Sequence, residues 1–168
     1  STIMAHDNGY AFDVYYWPSN GYTEGVSVTV EGDSKIEGNV QYGSDGTDSG
    51  KQNVAEKASL NITGGTFTGE LSLGQIGTST KAGISISGGT FQGNDTSNWT
   101  DYVQAGMKLD ENGSVVIDTT TAVAKIGDVG YDTLQNAITA AKDGDTVTLL
   151  QDVVEDVTVA GKSITLDL

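Results

Sequence analysis

The chain has 168 residues, enough for one ordinary domain or two small ones, with 23 glycines, one proline and 36% apolar residues. Its formal net charge is −15 and its eight basic residues are all lysine; phosphate binding relies on Lys and Arg to displace counterions, so nucleic acid and anionic lipid are excluded as partners. Cysteine is absent, which excludes disulfides, and no apolar run is long enough to cross a bilayer, which excludes insertion by a helix.

Residues 1–25 are the aromatic part of the chain, with Tyr10, Phe12, Tyr15, Tyr16, Trp17 and Tyr22. A strand is expected over 11–14, and Pro-Ser-Asn-Gly at 18–21 is a turn signal. Strand alternation sets Phe12, Val14 and Tyr16 on one face and Asp13, Tyr15 and Trp17 on the other.

A repeat follows. It reads Val-Ser-Val-Thr-Val-Glu-Gly at 26–32, Ser-Leu-Asn-Ile-Thr-Gly-Gly-Thr-Phe-Thr-Gly at 59–69 and Gly-Ile-Ser-Ile-Ser-Gly-Gly-Thr-Phe-Gln-Gly at 83–93. Each copy alternates apolar and polar residues, turns on glycine and then offers an apolar residue, Ile36, Phe67 or Phe91. Phe67 and Phe91 are 24 residues apart, as are Leu60 and Ile84, whereas Val28 and Leu60 are 32 apart. The surplus falls in 43–58, a polar stretch expected to be a protruding loop. A strand repeat of this period means one supersecondary unit stacked on its neighbours.

The pattern changes after Gly93. Residues 98–106 suggest a short helical turn, with Trp99 and Tyr102 as packing residues where the repeat ends. Residues 107–117 read as a hairpin turning at Asn112-Gly113. Residues 118–121, Asp-Thr-Thr-Thr, are the linker candidate. The division expected is therefore 1–117, a linker at 118–121, and a second unit at 122–168.

The second unit opens with a small hairpin over 123–131. One helix is expected after it, with Asp132 as N-cap, Gln135 as its capping-box partner, and Leu134, Ala137, Ile138 and Ala141 as its apolar stripe. Lys142 belongs to its last turn and Gly144 ends it. Strands are expected over 146–150, 153–159 and 163–168. The first residue is not Met and the last run stops inside a strand-like pattern, so the chain is read as a piece of a longer protein.

The run Gly-Tyr-Asp-Thr-Leu-Gln-Asn-Ala-Ile-Thr-Ala-Ala-Lys-Asp-Gly-Asp-Thr-Val-Thr-Leu at 130–149, with Val-Thr-Val at 157–159 and Lys-Ser-Ile-Thr-Leu-Asp at 162–167, resembles the opening of a pectin-lyase-like right-handed β-helix. The Ile-Ser-Gly-Gly-Thr-Phe repeats resemble those of large surface proteins of gut-dwelling Firmicutes. The resemblance covers about two thirds of the chain and implies an all-β fold: right-handed parallel β-helix (solenoid) segments with one short capping α-helix. Residues 1–117 would be the C-terminal rungs of a first coil with a closing hairpin, and 122–168 the start of a second. It also implies an extracellular or bacterial cell-surface location. It does not specify function, since this fold hosts lyases, hydrolases, adhesins and stalks.

Lyases of that family use Asp-bound Ca²⁺ with an Arg or Lys base, and its hydrolases use clustered Asp. This chain has no Arg and one histidine, His6, so no catalytic residue is assigned. The carboxylate pairs Asp45 with Asp48, Asp143 with Asp145, and Asp152 with Glu155 or Asp156 are close enough in sequence to consider for glycoside cleavage. They read more simply as turn and corner residues. No cofactor is expected beyond a possible structural calcium at Asp45 and Asp48, where the loop supplies oxygen ligands. Asp110-Glu-Asn-Gly113 faintly echoes a calcium loop, but the hairpin reading is preferred.

Tyr15 and Trp17, with Asp13 and Asn20, form the candidate glycan-binding site, because aromatic rings stack on the apolar faces of pyranoses. The alternative is that the rings cover a coil edge. The leading expectation is a non-catalytic adhesin or stalk segment whose partner is a glycan or host cell-surface ligand. The alternatives are part of a polysaccharide lyase or glycoside hydrolase with its catalytic rungs elsewhere, or a carbohydrate-binding module. The last strand predicts edge pairing with another copy.

Overall fold

The computed structural model describes residues 1–5, 9–77 and 83–168. Sheet predominates among the described residues, with 41% strand against 15% helix. It opens with β1 (Thr2–Met4), β2 (Tyr10–Tyr16) and a 3₁₀ turn, Pro18–Asn20. β3 (Val26–Val30), β4 (Lys35–Glu37) and β5 (Asn39–Ser44) follow, then α1 (Asp48–Lys57). β6 (Ala58–Phe67), β7 (Leu71–Leu73) and β8 (Ile84–Phe91) come next. The short α2 (Ser97–Thr100) precedes a hairpin of β9 (Met107–Leu109) and β10 (Val115–Ile117).

The repeats pair with one another, parallel and in register. β3 lies beside β6 with Val28 opposite Leu60 and Val30 opposite Ile62. β8 lies on the other side of β6, placing Ile84 opposite Leu60, Ile86 opposite Ile62 and Phe91 opposite Phe67. β6 is long because it serves two partners: beyond its Gly-Gly it pairs with β4, Ile36 opposite Phe67, and β4 in turn pairs with β1. Gly65 and Gly89, at φ +92° and +101°, adopt a conformation that side chains resist, and so let the strands turn there. β2, β5 and β7 form a separate parallel sheet, with Phe12 opposite Val40, Val14 opposite Tyr42, and Val40 opposite Leu71.

Alternation explains the core. Val14, Val40, Tyr42, Leu60, Ile62, Phe67 and Ile86 are fully buried and belong to one apolar cluster. Phe67 and Phe91 stack with centroids 5.0 Å apart, and Trp99 of α2 closes over both at 5.1 and 4.9 Å. The buried indole donates to the carbonyl of Gly69 at 3.2 Å, so its one polar atom is satisfied.

The expected loop at 43–58 is instead α1. Thr47 caps it, accepting from the Gly50 N–H, while Asp48 in the first turn and Lys57 in the last complement the helix dipole. Val54 is its one large buried side chain, too weak a stripe to reveal a helix by periodicity. The buried Tyr42 hydroxyl shares its one proton between the carbonyls of Val54 and Ala58, at 3.1 and 2.8 Å, and accepts from the Gly83 N–H at 2.6 Å. This fastens the end of α1 to the repeats.

The second cluster centres on β11 (Ala124–Ile126), β12 (Val129–Tyr131), α3 (Leu134–Ala140) and β13 (Thr146–Leu149). Ala124, Leu134, Ala137, Ile138, Ala141 and Val147 form its core. The cap of α3 differs from the expectation: Thr133, not Asp132, accepts from the Asn136 N–H at 3.0 Å. Gln135 faces away from a capping box and bonds Thr158, accepting from its N–H at 2.7 Å. Lys142 lies beyond the end of α3. The strand expected over 153–159 is absent, and only β14 (Thr165–Asp167) pairs, parallel to β13. Glu155 and Lys162 bind the ends of α3, which holds the intervening chain against the helix rather than in a sheet.

Residues 118–121 are a fastened turn. Asp118 accepts from the Thr120 N–H and hydroxyl, the Thr121 hydroxyl and Lys108 Nζ. Across this junction Gln104 Nε2 donates to the Gly130 carbonyl at 3.0 Å.

Candidate functional site

The outer face of the β2–β5–β7 sheet carries the aromatic pair. In β2, Val14 and Tyr16 are buried and Phe12 half-buried, so the opposite face presents Asp13 and Tyr15. Asp13 is exposed, Tyr15 is half-buried, and Trp17, just past the strand, is 44% exposed. The Tyr15 and Trp17 rings lie 5.7 Å apart, tilted by 47°.

The ring of Tyr15 is half-buried because two glycines make room for it. Register places Tyr15 opposite Gly43, and Gly74 follows the β7 residue Leu73, which pairs with Tyr42. A Cβ on Gly43 would stand 3.1 Å from the Tyr15 ring, and one on Gly74 would stand 2.6 Å from its hydroxyl oxygen and 3.3 Å from the ring. The ring therefore rests on bare backbone of the next two strands. This contact fixes its orientation without a matching loss of side-chain freedom on the partner strands. Partial burial raises the Tyr15 pKa above 10.0, helped by the negative fields of Asp13, Tyr10 and Asp45.

The strands add neighbours that alternation alone did not assign to the site. Asp13 lies opposite Gln41, and Gln41 opposite Ser72. Gln41 and Ser72 are half-buried, so a polar rank, Asp13–Gln41–Ser72, runs beside the Tyr15–Gly43–Gly74 rank. Asn20 stands in the 3₁₀ turn beyond Trp17 and is exposed.

The Asp45 carboxylate secures that turn. It accepts from the Ser19 N–H at 2.8 Å on one oxygen, and from the Thr47 N–H and hydroxyl at 3.1 and 2.7 Å on the other. Desolvation raises its pKa, but the bonds from Ser19 and Thr47 outweigh this and hold it at about 2. Asp48 is placed in the first turn of α1. Thus each half of the suggested calcium pair has a local structural role. Among the described residues no cluster of three or more His, Cys, Asp or Glu side chains gathers to hold a metal ion.

Of the remaining carboxylate candidates, Asp143, Asp145 and Glu155 are likewise bonded to backbone. Asp143 accepts from the Ser163 N–H and Asp145 from the Lys142 N–H, both at 2.7 Å. Glu155 serves α3, while Asp152 and Asp156 are exposed. Asp110 accepts from the N–H groups of Asn112 and Ser114, holding the β9–β10 turn. His6 lies outside the described residues. Among the described residues no helix is long and apolar enough to cross a membrane.

Comparison with family models, with curated proteins and with solved structures finds no match to this chain.

Proposed function

We propose that the chain is a non-catalytic segment of a bacterial surface or secreted protein that holds a glycan against the outer face of β2, β5 and β7. The observation that carries the reading is the Tyr15 ring laid over Gly43 and Gly74 beside the partly exposed Trp17. A ring supported from below offers its upper face to the apolar face of a sugar, and little side-chain entropy remains to be lost on binding.

The scaffold in this reading is the end of a right-handed parallel β-helix over 1–117, joined through 118–121 to the start of a second coil at 122–168. The in-register ladders Val28–Leu60–Ile84 and Ile36–Phe67–Phe91 support it. β3, β4 and β5 are followed along the chain by the two halves of β6 and by β7, each parallel to its predecessor. α1 occupies the surplus between one turn and the next. The outward residues Ser27, Thr29, Asn61, Ser85 and Ser87 are small and neutral, which suits a spacer.

A glycan array tests this. The intact chain should bind and the Tyr15→Ala/Trp17→Ala variant should not, with the circular dichroism spectrum unchanged. Release of reducing ends or unsaturated uronides from pectin, alginate or mucin glycans by the same preparation would contradict a non-catalytic role.

A further inference from the structure

Resting on that reading of the face, we infer that its ligand is an uncharged polysaccharide, gripped by the Asp13–Gln41–Ser72 rank while a sugar ring lies on Tyr15, and that uronate polymers are rejected. The rank runs across the strands, so its three side chains stand at steps of about 4.8 Å, the strand spacing. The aromatic rank lies two residues along the same strands, about 6.6 Å away at the rise of a parallel strand. A pyranose seated on the ring thus has its hydroxyl edge turned toward Asp13, Gln41 and Ser72.

The chemistry of the rank fits hydroxyls. A carboxylate accepts, an amide donates and accepts, and a serine hydroxyl does both. Sugar hydroxyls need this mixture. A uronate needs something else: its carboxylate calls for a charged donor, best an Arg fork or a Lys ammonium. β2, β5 and β7 together carry one charged side chain, Asp13, and it is negative. The chain has no Arg at all. Asp45, at the end of β5, adds a second negative charge whose field reaches Tyr15. An anionic glycan would therefore bring its charge to two carboxylates with no cation on these three strands to offset them, in a protein whose net charge is already −15.

Titration calorimetry with the intact chain tests this, using hexamers of the neutral cello-, xylo-, manno- and galacto- series beside galacturonate and mannuronate hexamers. The expected result is binding of at least one neutral hexamer and of neither uronate. The neutral affinity should change less than about 2-fold between about 0.02 and 0.5 M salt, because no charge pairing is involved. Gln41→Ala should weaken that neutral binding by about 3- to 10-fold, the loss of one amide contact, with the thermal midpoint unchanged. A uronate binding more tightly than every neutral hexamer would overturn the inference while leaving a glycan site in place. A Gln41→Ala variant that binds as the parent does would remove the polar rank from it. If no hexamer binds to the folded chain, the glycan reading itself fails and this inference falls with it.

Discussion

Glu155 and Lys162 hold opposite ends of helix α3. Glu155 accepts from the N–H groups of Leu134 and Gln135, at 3.1 Å each, where the helix dipole is positive. Lys162 Nζ donates to the carbonyls of Ile138, Thr139 and Ala141 at 3.0, 2.9 and 2.8 Å, where it is negative. Between them Gln135 bonds the backbone of Thr158 in both directions. A segment without strand or helix is thereby bound along a seven-residue helix too short to stand alone.

Removing either end should loosen the segment. Glu155→Ala is expected to cost about 1 kcal/mol, the value of a helix cap, and Lys162→Met about 1–2 kcal/mol for three charge-assisted bonds on a part-buried group. The double variant should lose less than the two singles together, because both residues tether the same stretch. Urea denaturation of the four proteins checks this. Strict additivity would mean that the two anchors act independently.

Acid should release the turn at the junction. Hydrogen bonds from Thr120, opposed by slight desolvation and helped by Thr121 and Lys108, lower the Asp118 pKa from 3.8 to about 2. A folded-state pKa below the unfolded one contributes stability above about pH 4, and that contribution is lost as pH falls through about 2. Asp118→Asn should therefore have a lower thermal midpoint than the parent at pH 7, and the gap should close between pH 4 and pH 2. A gap that persists unchanged at pH 2 would assign the effect to something other than the carboxylate.

The aromatic stack at the end of the repeats should dominate core stability. Trp99 is fully buried against Phe67 and Phe91. Trp99→Ala leaves a cavity and an unpaired Gly69 carbonyl, and is expected to cost about 3–5 kcal/mol. Trp99→Phe keeps most of the contact and should cost clearly less. Equal losses for the two would mean that the hydrogen bond, not the contact area, sets the value.

The repeats were legible because glycine and phenylalanine recur in step. Phe67 and Phe91 do face each other, and the hairpin at Asn112-Gly113 and the short helical turn at Trp99 stand where their signals put them. α1 was not legible, since Asp48, Ser49 and Gly50 are loop-forming residues and its stability comes from the Thr47 cap and contacts around Tyr42 and Val54. The run 153–159 misled for the opposite reason. Its valines have strand propensity, but Glu155 and Thr158 find better partners on α3. At the candidate site, alternation placed Asp13, Tyr15 and Trp17 on one face. Gln41, Ser72, Gly43 and Gly74 depend on cross-strand register over about thirty residues, which no local pattern encodes.

The chain's two tryptophans offer the most direct test of where a ligand sits, because Trp17 flanks the Tyr15 ring and Trp99 is sealed in the core. Their indole N–H resonances can be followed by ¹⁵N correlation spectroscopy while the best-binding neutral oligosaccharide is added. The expected result is a saturating shift of the Trp17 indole, with the backbone signals of Tyr15, Gln41 and Ser72 moving at the same ligand concentration and the Trp99 indole still. Saturable binding that leaves the Trp17 indole and those backbone signals unmoved would contradict the assignment of this face.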